Sequence, residues 1–428
     1  MLAVLVGLRL TSAPGEGGLG LSLSQYALIA PPAILVAGLF VAVVSRTAFE
    51  SGLNTGMLFR PSFGLAGSWL VSAVVAVGYI IWMALEFRVS SEILASALDA
   101  AGVDVGIEIP IVVLAVIVGV LSYVGLRRFA TRIVQPVLIW ISVGLFGIAV
   151  LWLAQRGLVL STDRAPGGML LVAAQQIVVY TVVFLPLAAD TSRFAGRSNY
   201  AISATGVAFM FTLGGSLTFG AVLGAAATAP TVEGLAKTVL ASGTAVMAAG
   251  IIGWVLAAEA AQPYGFLYSA ANATSSVFLR RPPRILGLFM VAAAGLMAHV
   301  FNEAQLFPVA DVAAFVLAPA FVVVVVDYFL VRKKRYLVDE MYDRSGEYGG
   351  VNLIGFFAYV VGLFVGYVID PLGPEVFLRG VEVALPFAGS WSDTVPAVLV
   401  SMVATAVAYW SIGRLRIAQT DVVSKVRL

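Results

Sequence analysis

Glu259 is the residue best placed to do chemistry. It stands in the run Trp254-Val-Leu-Ala-Ala-Glu-Ala-Ala-Gln-Pro263, which has no other charge. An acid at the centre of a bilayer costs roughly 2.5–3.5 kcal/mol to insert, so such groups face a bundle interior or a water-filled cavity. Pro263 lies four residues on, removes a helix hydrogen bond and frees the carbonyl of Glu259 itself. A freed carbonyl beside a carboxyl group is what a cation or a heterocyclic N–H would seek. The other reading is a permanently protonated acid bonded to a neighbouring helix.

Two further groups have suitable spacing. Gln175, Gln176 and Tyr180 occur in one apolar stretch, followed by Pro186. Gln176 and Tyr180 are four apart and share a helix face. Amides at lipid depth need partners, and they serve either as glue between helices or as a binding site. Tyr79 and Trp82 are three apart, beside Gly78, and lie mid-stretch rather than at its ends. They read as packing or as a stacking platform for a flat ring.

Other signals fall away. Gly15-Glu-Gly17-Gly-Leu-Gly20 matches a dinucleotide fingerprint in letters, but no strand precedes it, so it reads as a loop. The single histidine, His299, reads as a bonded structural residue near a helix end. With no cysteine and one histidine, thiolate and histidine-cluster metal sites are excluded. No acidic pair at metal spacing, nucleophile elbow or phosphate loop suggests an enzyme, and no nucleic-acid partner or organic cofactor is expected.

These residues must be positioned by membrane helices. The chain has 428 residues, 61% hydrophobic and 11% charged, against about 25% charged in a soluble domain. The apolar runs are too long and unalternating for barrel strands. Hydropathy predicts eleven full spans, near 24–45, 67–87, 108–126, 133–155, 169–189, 200–226, 242–276, 285–302, 308–331, 351–370 and 395–413. Met1–Leu10 is apolar but about half the length a crossing needs. It reads as the outer half of a first helix whose inner half is missing, or as a short re-entrant start. The stretch Ser90–Glu108 is expected outside, with room for a small surface helix.

Basic residues set the orientation. Arg46, Arg60, Arg127, Arg128, Arg132, Arg193, Arg197, Arg280, Arg281, Arg284, the run Arg332–Arg335, Arg344, Arg414, Arg416, Lys425 and Arg427 fall on one side. Only Arg9, Arg88, Arg156, Arg164, Lys237 and Arg379 fall on the other. The first side, with the C-terminus, is expected to be cytoplasmic, in a plasma (inner) membrane.

Three stretches together resemble the nucleobase:cation symporter-1 family of cytosine, purine, allantoin and hydantoin permeases. They are Thr55-Gly-Met-Leu-Phe-Arg-Pro-Ser-Phe-Gly64, Pro186-Leu-Ala-Ala-Asp-Thr-Ser-Arg-Phe194, and Ala318-Pro-Ala-Phe with Val326-Asp-Tyr-Phe-Leu-Val-Arg332. Arg335-Tyr and Tyr348-Gly-Gly-Val-Asn352 follow the third. The resemblance implies an all-α, leucine-transporter-like inverted-repeat bundle with substrate at the midplane. It divides the single domain into repeats of about 1–155 and 169–331 plus two extra helices over 351–413. Tyr268-Ser-Ala270 is similar to the family's eighth helix and places Glu259 and Gln262 beside the site.

There are departures. Thr191 replaces the signature aromatic, and the family's tryptophan after a glycine is Tyr79 here, with Trp82 a turn later. Where the family shows hydroxyl residues and asparagine for sodium, this chain reads Ala260-Ala-Gln-Pro263. Proton coupling through Glu259, or uncoupled exchange, is therefore expected over sodium coupling. The reading is a permease for a planar nitrogen heterocycle, held by Tyr79, Trp82, Gln176, Tyr180, Glu259 and Gln262. The alternatives are a transporter of a cationic or zwitterionic amine using Glu259, or a non-transporting sensor.

Overall fold

In lipid, every backbone polar group must be satisfied inside the protein, which favours helices wherever the chain is apolar. The computed structural model describes residues 2–13, 18–124, 165, 167–225, 263, 265–277, 283–301, 306–343, 345–370 and 395–426, and these form helices and loops with no strand. The expected span 133–155, most of 242–276, and with them Glu259 and Gln262, lie outside the described residues.

Among the described residues five helices are long and apolar enough to cross a membrane, and one bent pair makes a sixth. α1 is Leu2–Thr11 and α2 is Leu23–Ser51. Ser22 and Gln25 form a capping box at the start of α2, and Gly52 ends it in the left-handed conformation (φ 70°) that only glycine adopts without strain. Asn54 caps the short α3, Thr55–Phe63. α4 (Leu65–Ala100) and α5 (Glu108–Val124) follow. The expected surface helix after Ser90 is instead the continuation of α4, because no proline or glycine interrupts the chain before Gly102.

α6 (Gly167–Val182) and α7 (Leu185–Ser192) are one expected span broken into two, with a bend of 42°. Pro186 sits in the first turn of α7, where its missing N–H costs nothing, and it cannot continue α6. α8 is Ser198–Gly224, with a π-helical turn over Ser203–Val207. α9 covers 265–277, α10 is Pro283–Ala298, and α11 is Leu306–Val326 running into a π turn, Asp327–Val331. α12 (Leu353–Ile369) and α13 (Ala397–Val426) pair with each other.

Lipid depth sets the packing rules. Without a hydrophobic drive between helices, close backbone approach through small residues does the work. α1 lies on α8 with Gly7 against the Leu217 carbonyl and Gly220 against that of Val4, so a Cβ at either would collide with backbone. Thr11 adds a hydrogen bond to the Ala221 carbonyl at 2.6 Å. Large apolar side chains project outward, among them Phe211 at 78% and Leu296 at 73% exposure. Such a surface suits hydrocarbon, not water.

Candidate functional site

The face of α4 that carries Tyr79 and Trp82 turns inward, and both rings are 1% exposed. Trp82 packs on Tyr180 of α6 with centroids 5.9 Å apart, and on Phe266 of α9 at 6.4 Å. Phe266 also meets Tyr79 at 5.1 Å and Phe184 at 5.3 Å. The structure therefore gathers Tyr79 and Trp82 around Phe266, a residue whose spacing gave no reason to single it out, with Tyr180 packed on Trp82. The indole Nε1 of Trp82 is buried in this cluster without a hydrogen-bond partner. A buried unpaired donor costs about 1–3 kcal/mol, so it calls for a reason.

The Tyr79 hydroxyl has a different task. It donates to the Val183 carbonyl at 2.7 Å and accepts from the Leu187 N–H at 3.3 Å. Those are backbone groups at the break between α6 and α7. Tyr79 thus staples a broken helix whose polar groups lipid would leave unsatisfied.

Gln176 lies one turn before Tyr180 and points its amide at the N-terminal part of α11. Its Nε2 donates to Asp311 at 3.3 Å, and Arg9 near the end of α1 acts electrostatically on the same carboxylate. Gln175 points elsewhere: its Oε1 accepts from the Val398 N–H at 3.0 Å and ties α6 to α13. Neighbouring helix positions are about 100° apart, so one amide faces Asp311 while the other is glue. Asp311 was not singled out in the sequence; its signal there was an acid opening the uncharged run that ends at Val326. His299, expected as a bonded structural residue near a helix end, lies just beyond α10 and is exposed.

A cavity of about 300 Å³ opens between α4 and α11, on the neighbouring face of α4 at Gly78. It is large enough for a small ligand, yet Val74, Val77, Ile81, Val309, Val316 and its other lining residues offer no polar side chain. It cannot orient a heterocycle.

Nearer the arginine-rich loops, two buried aspartates from the sequence motifs meet the ends of α3. Asp190 in α7 accepts from the Thr55 N–H at 2.9 Å, and the Thr55 hydroxyl donates to the Pro186 carbonyl at 2.9 Å. Asp327 accepts from Tyr409 at 2.8 Å, Tyr336 at 2.9 Å and Ser62 at 3.3 Å, with the Arg332 guanidinium 3.4 Å away. Burial and the Asp327 charge push the Tyr336 phenol well above its ordinary range. Although burial opposes it, the charges of Asp327 and Glu347 hold Arg332 more firmly protonated than usual. Arg60, 1% exposed, donates to the carbonyls of Met341 and Ser276. Among the described residues no cluster of three His, Cys, Asp or Glu could hold a metal ion.

Known proteins agree with this architecture. The profile of a family described as permease for cytosine/purines, uracil, thiamine, allantoin matches residues 8–392. The cytosine permease of Escherichia coli O157:H7 is 25% identical over 393 residues, covering 87% of this chain and 86% of that protein. The inward-facing structure of Mhp1 aligns with a TM-score of 0.70 at 18% identity, over 98% of this chain and 88% of that one. Mhp1 in a closed conformation with bromovinylhydantoin bound, described as a nucleobase-cation-symport-1 family transporter, aligns at 0.69 and 19% identity, over 97% and 92%. The fold is thus leucine-transporter-like, the apolar helices make the chain a multi-pass membrane protein, and the matched family is one of transporters, not enzymes. The chain belongs to the cytosine/purine permease family, the nucleobase:cation symporter-1 transporters.

Proposed function

We propose that this transporter carries a planar nitrogen heterocycle of the nucleobase or hydantoin kind by alternating access. The observation that carries the reading is the Trp82 indole N–H, buried among rings without an acceptor and one helix contact from Tyr180. A ring carbonyl or ring nitrogen would satisfy that donor, while the neighbouring rings, Tyr79 included, supply stacking worth about 0.5–1.5 kcal/mol beyond burial. Gln176, a turn along α6, would read the ring edge. Glu259 and Gln262 complete the proposed site, with Glu259 as the proton-linked group and no sodium requirement.

A second reading has its own observation. Asp311 beside Gln176 would serve as counter-charge to a cationic amine, the role that residue type and position also offer Glu259. A site built to hydrogen-bond a ring edge rejects analogues lacking it far more strongly than an apolar pocket can. The test is thermal shift of the purified protein with pyrimidines, purines, hydantoins and aliphatic amines. Heterocycles should stabilise the protein, and Gln176→Ala should reorder them where Gln175→Ala should not. Glu259→Gln should abolish pH-dependent accumulation in proteoliposomes. Stabilisation by amines alone, lost in Asp311→Asn, would replace the heterocycle reading, and steep sodium dependence of uptake would remove the proton-linked role.

The charge asymmetry supports a cytoplasmic C-terminus in the plasma membrane. A cysteine at Ser424 should resist impermeant thiol reagents in intact cells, and ready labelling would reverse the orientation.

A further inference from the structure

α3 is a nine-residue helix, and every one of its residues is buried. It touches α7, α9 and α11, and continues into α4. Thr55 meets α7, Gly56 lies against Ser276 of α9, and Phe59 packs on Phe321 of α11 with centroids 5.3 Å apart. α3 leads through Gly64 directly into α4. α3 is thus a buried helix packed among α7, α9 and α11 on the side of the arginine-rich loops.

Its two ends are held differently. At the C-terminal end Asp327 has the partners Ser62, Tyr336 and Tyr409 with Arg332 close by. The Asn352 side chain donates to the Ser62 carbonyl at 2.9 Å, and the Asn352 N–H donates to that of Phe63 at 2.8 Å. Arg60 pins the middle to α9 and the Met341 loop. At the N-terminal end Asp190 uses one oxygen on Thr55, while its Oδ2 is buried without a hydrogen bond. The Ser269 hydroxyl lies beside it without a well-formed hydrogen bond, and that of Ser45 is also unsatisfied. Breaking the first set would strand several buried groups, whereas parting the second breaks two hydrogen bonds.

We infer that α3 is the barrier on the arginine-rich side of the transport path, anchored at Asp327 and latched to the broken helix by the Asp190–Thr55 contact. α7 connects the latch to the site. Its Leu187 N–H reaches Tyr79 in the ring cluster, and Asp190 stands one turn further on. A tilt of this short helix, already bent 42° from α6, changes both contacts together. Asp190 and Asp327 are positioning residues on this account; neither touches solute.

The latch rests on the transporter assignment but on neither the solute nor the orientation, so its failure would be distinct from failure of the heterocycle reading. The chain has no cysteine, which allows a single reporter thiol at Ala189, 0% exposed and next to the latch. Maleimide labelling is followed on the full chain in nanodiscs, where both faces meet the reagent. Asp190→Ala should raise the labelling rate by about tenfold or more, since a hydrogen bond to a charged group is lost. Asp190→Asn, which keeps an acceptor for the Thr55 N–H, should stay near the parent rate. Thr55→Ala, which removes only the bond to Pro186, should raise it by about threefold, and it keeps the test valid if Asp190→Ala does not fold. A second reporter at Ser62, 0% exposed at the anchored end of α3, should stay slow throughout. Unchanged labelling at Ala189 in both Asp190→Ala and Thr55→Ala, or equal acceleration at Ser62, would overturn the latch.

Discussion

The ring cluster on α4, α6 and α9 and the polar layer around Asp327 are equally buried, yet they treat their polar groups in opposite ways. Asp327 collects three hydroxyl donors and a nearby guanidinium from α3, the loop after α11 and α13. Trp82, 1% exposed, keeps a donor with no acceptor. Buried polar groups in a finished core are paired. The difference separates a layer gathered around one carboxylate by several donors from a cluster that leaves a ring N–H open.

The largest effect should come from removing the hub of the polar layer. Asp327→Ala strands three hydroxyls and leaves Arg332 with Glu347 alone, and breaking a buried charged pair typically costs about 3–5 kcal/mol. It should lower the melting temperature in detergent more than either Tyr336→Phe or Trp82→Phe does. A loss no greater than that of a surface substitution would break the comparison.

A pH profile should resolve a smaller part of the same layer. The Tyr336 phenol is raised above its ordinary value of 10.0, with burial the main cause and Asp327 adding to it. The folded state therefore binds that proton more tightly than the unfolded chain. Its contribution is fully present below pH 10 and is lost as pH rises from there through the higher folded value. Thermal stability should fall over that alkaline window, and Tyr336→Phe should flatten that part of the fall. An unchanged slope in the variant would show that the phenol is not the group involved.

The smallest stability effect should be at the open cluster. Trp82→Phe loses packing but also removes an unpaired buried donor, so the two effects oppose and the net change should stay under about 1 kcal/mol. Heterocycle binding should nevertheless weaken measurably by thermal shift. A large loss of stability with unaltered ligand response would make Trp82 a core residue and nothing more.

Long uncharged runs and the placement of arginines made a membrane bundle legible from residue types, because the cost of charge in lipid writes itself into composition. The motifs at Thr55–Gly64, Pro186–Phe194 and Val326–Arg332 carried the family. Tyr79, Trp82, Gln176 and Tyr180 were legible as polar or aromatic groups where lipid-facing helices have little use for them. Pro186 was noted in the sequence, but the span was expected unbroken over 169–189, and only the structure shows its halves bent by 42°.

Partners were a different matter. Gln175 and Gln176 are identical in type and adjacent in sequence, yet one meets the Val398 backbone and the other Asp311. Phe266 looks like any other apolar residue until Tyr79, Trp82 and Phe184 close around it. In a soluble helix the polar stripe marks the outer face, but in this bundle the outer and inner faces are both apolar. Periodicity then records that a segment is buried in lipid or protein and not which neighbour it faces. Which donor meets which acceptor, and which donor meets none, was decided only when helices far apart in sequence packed together.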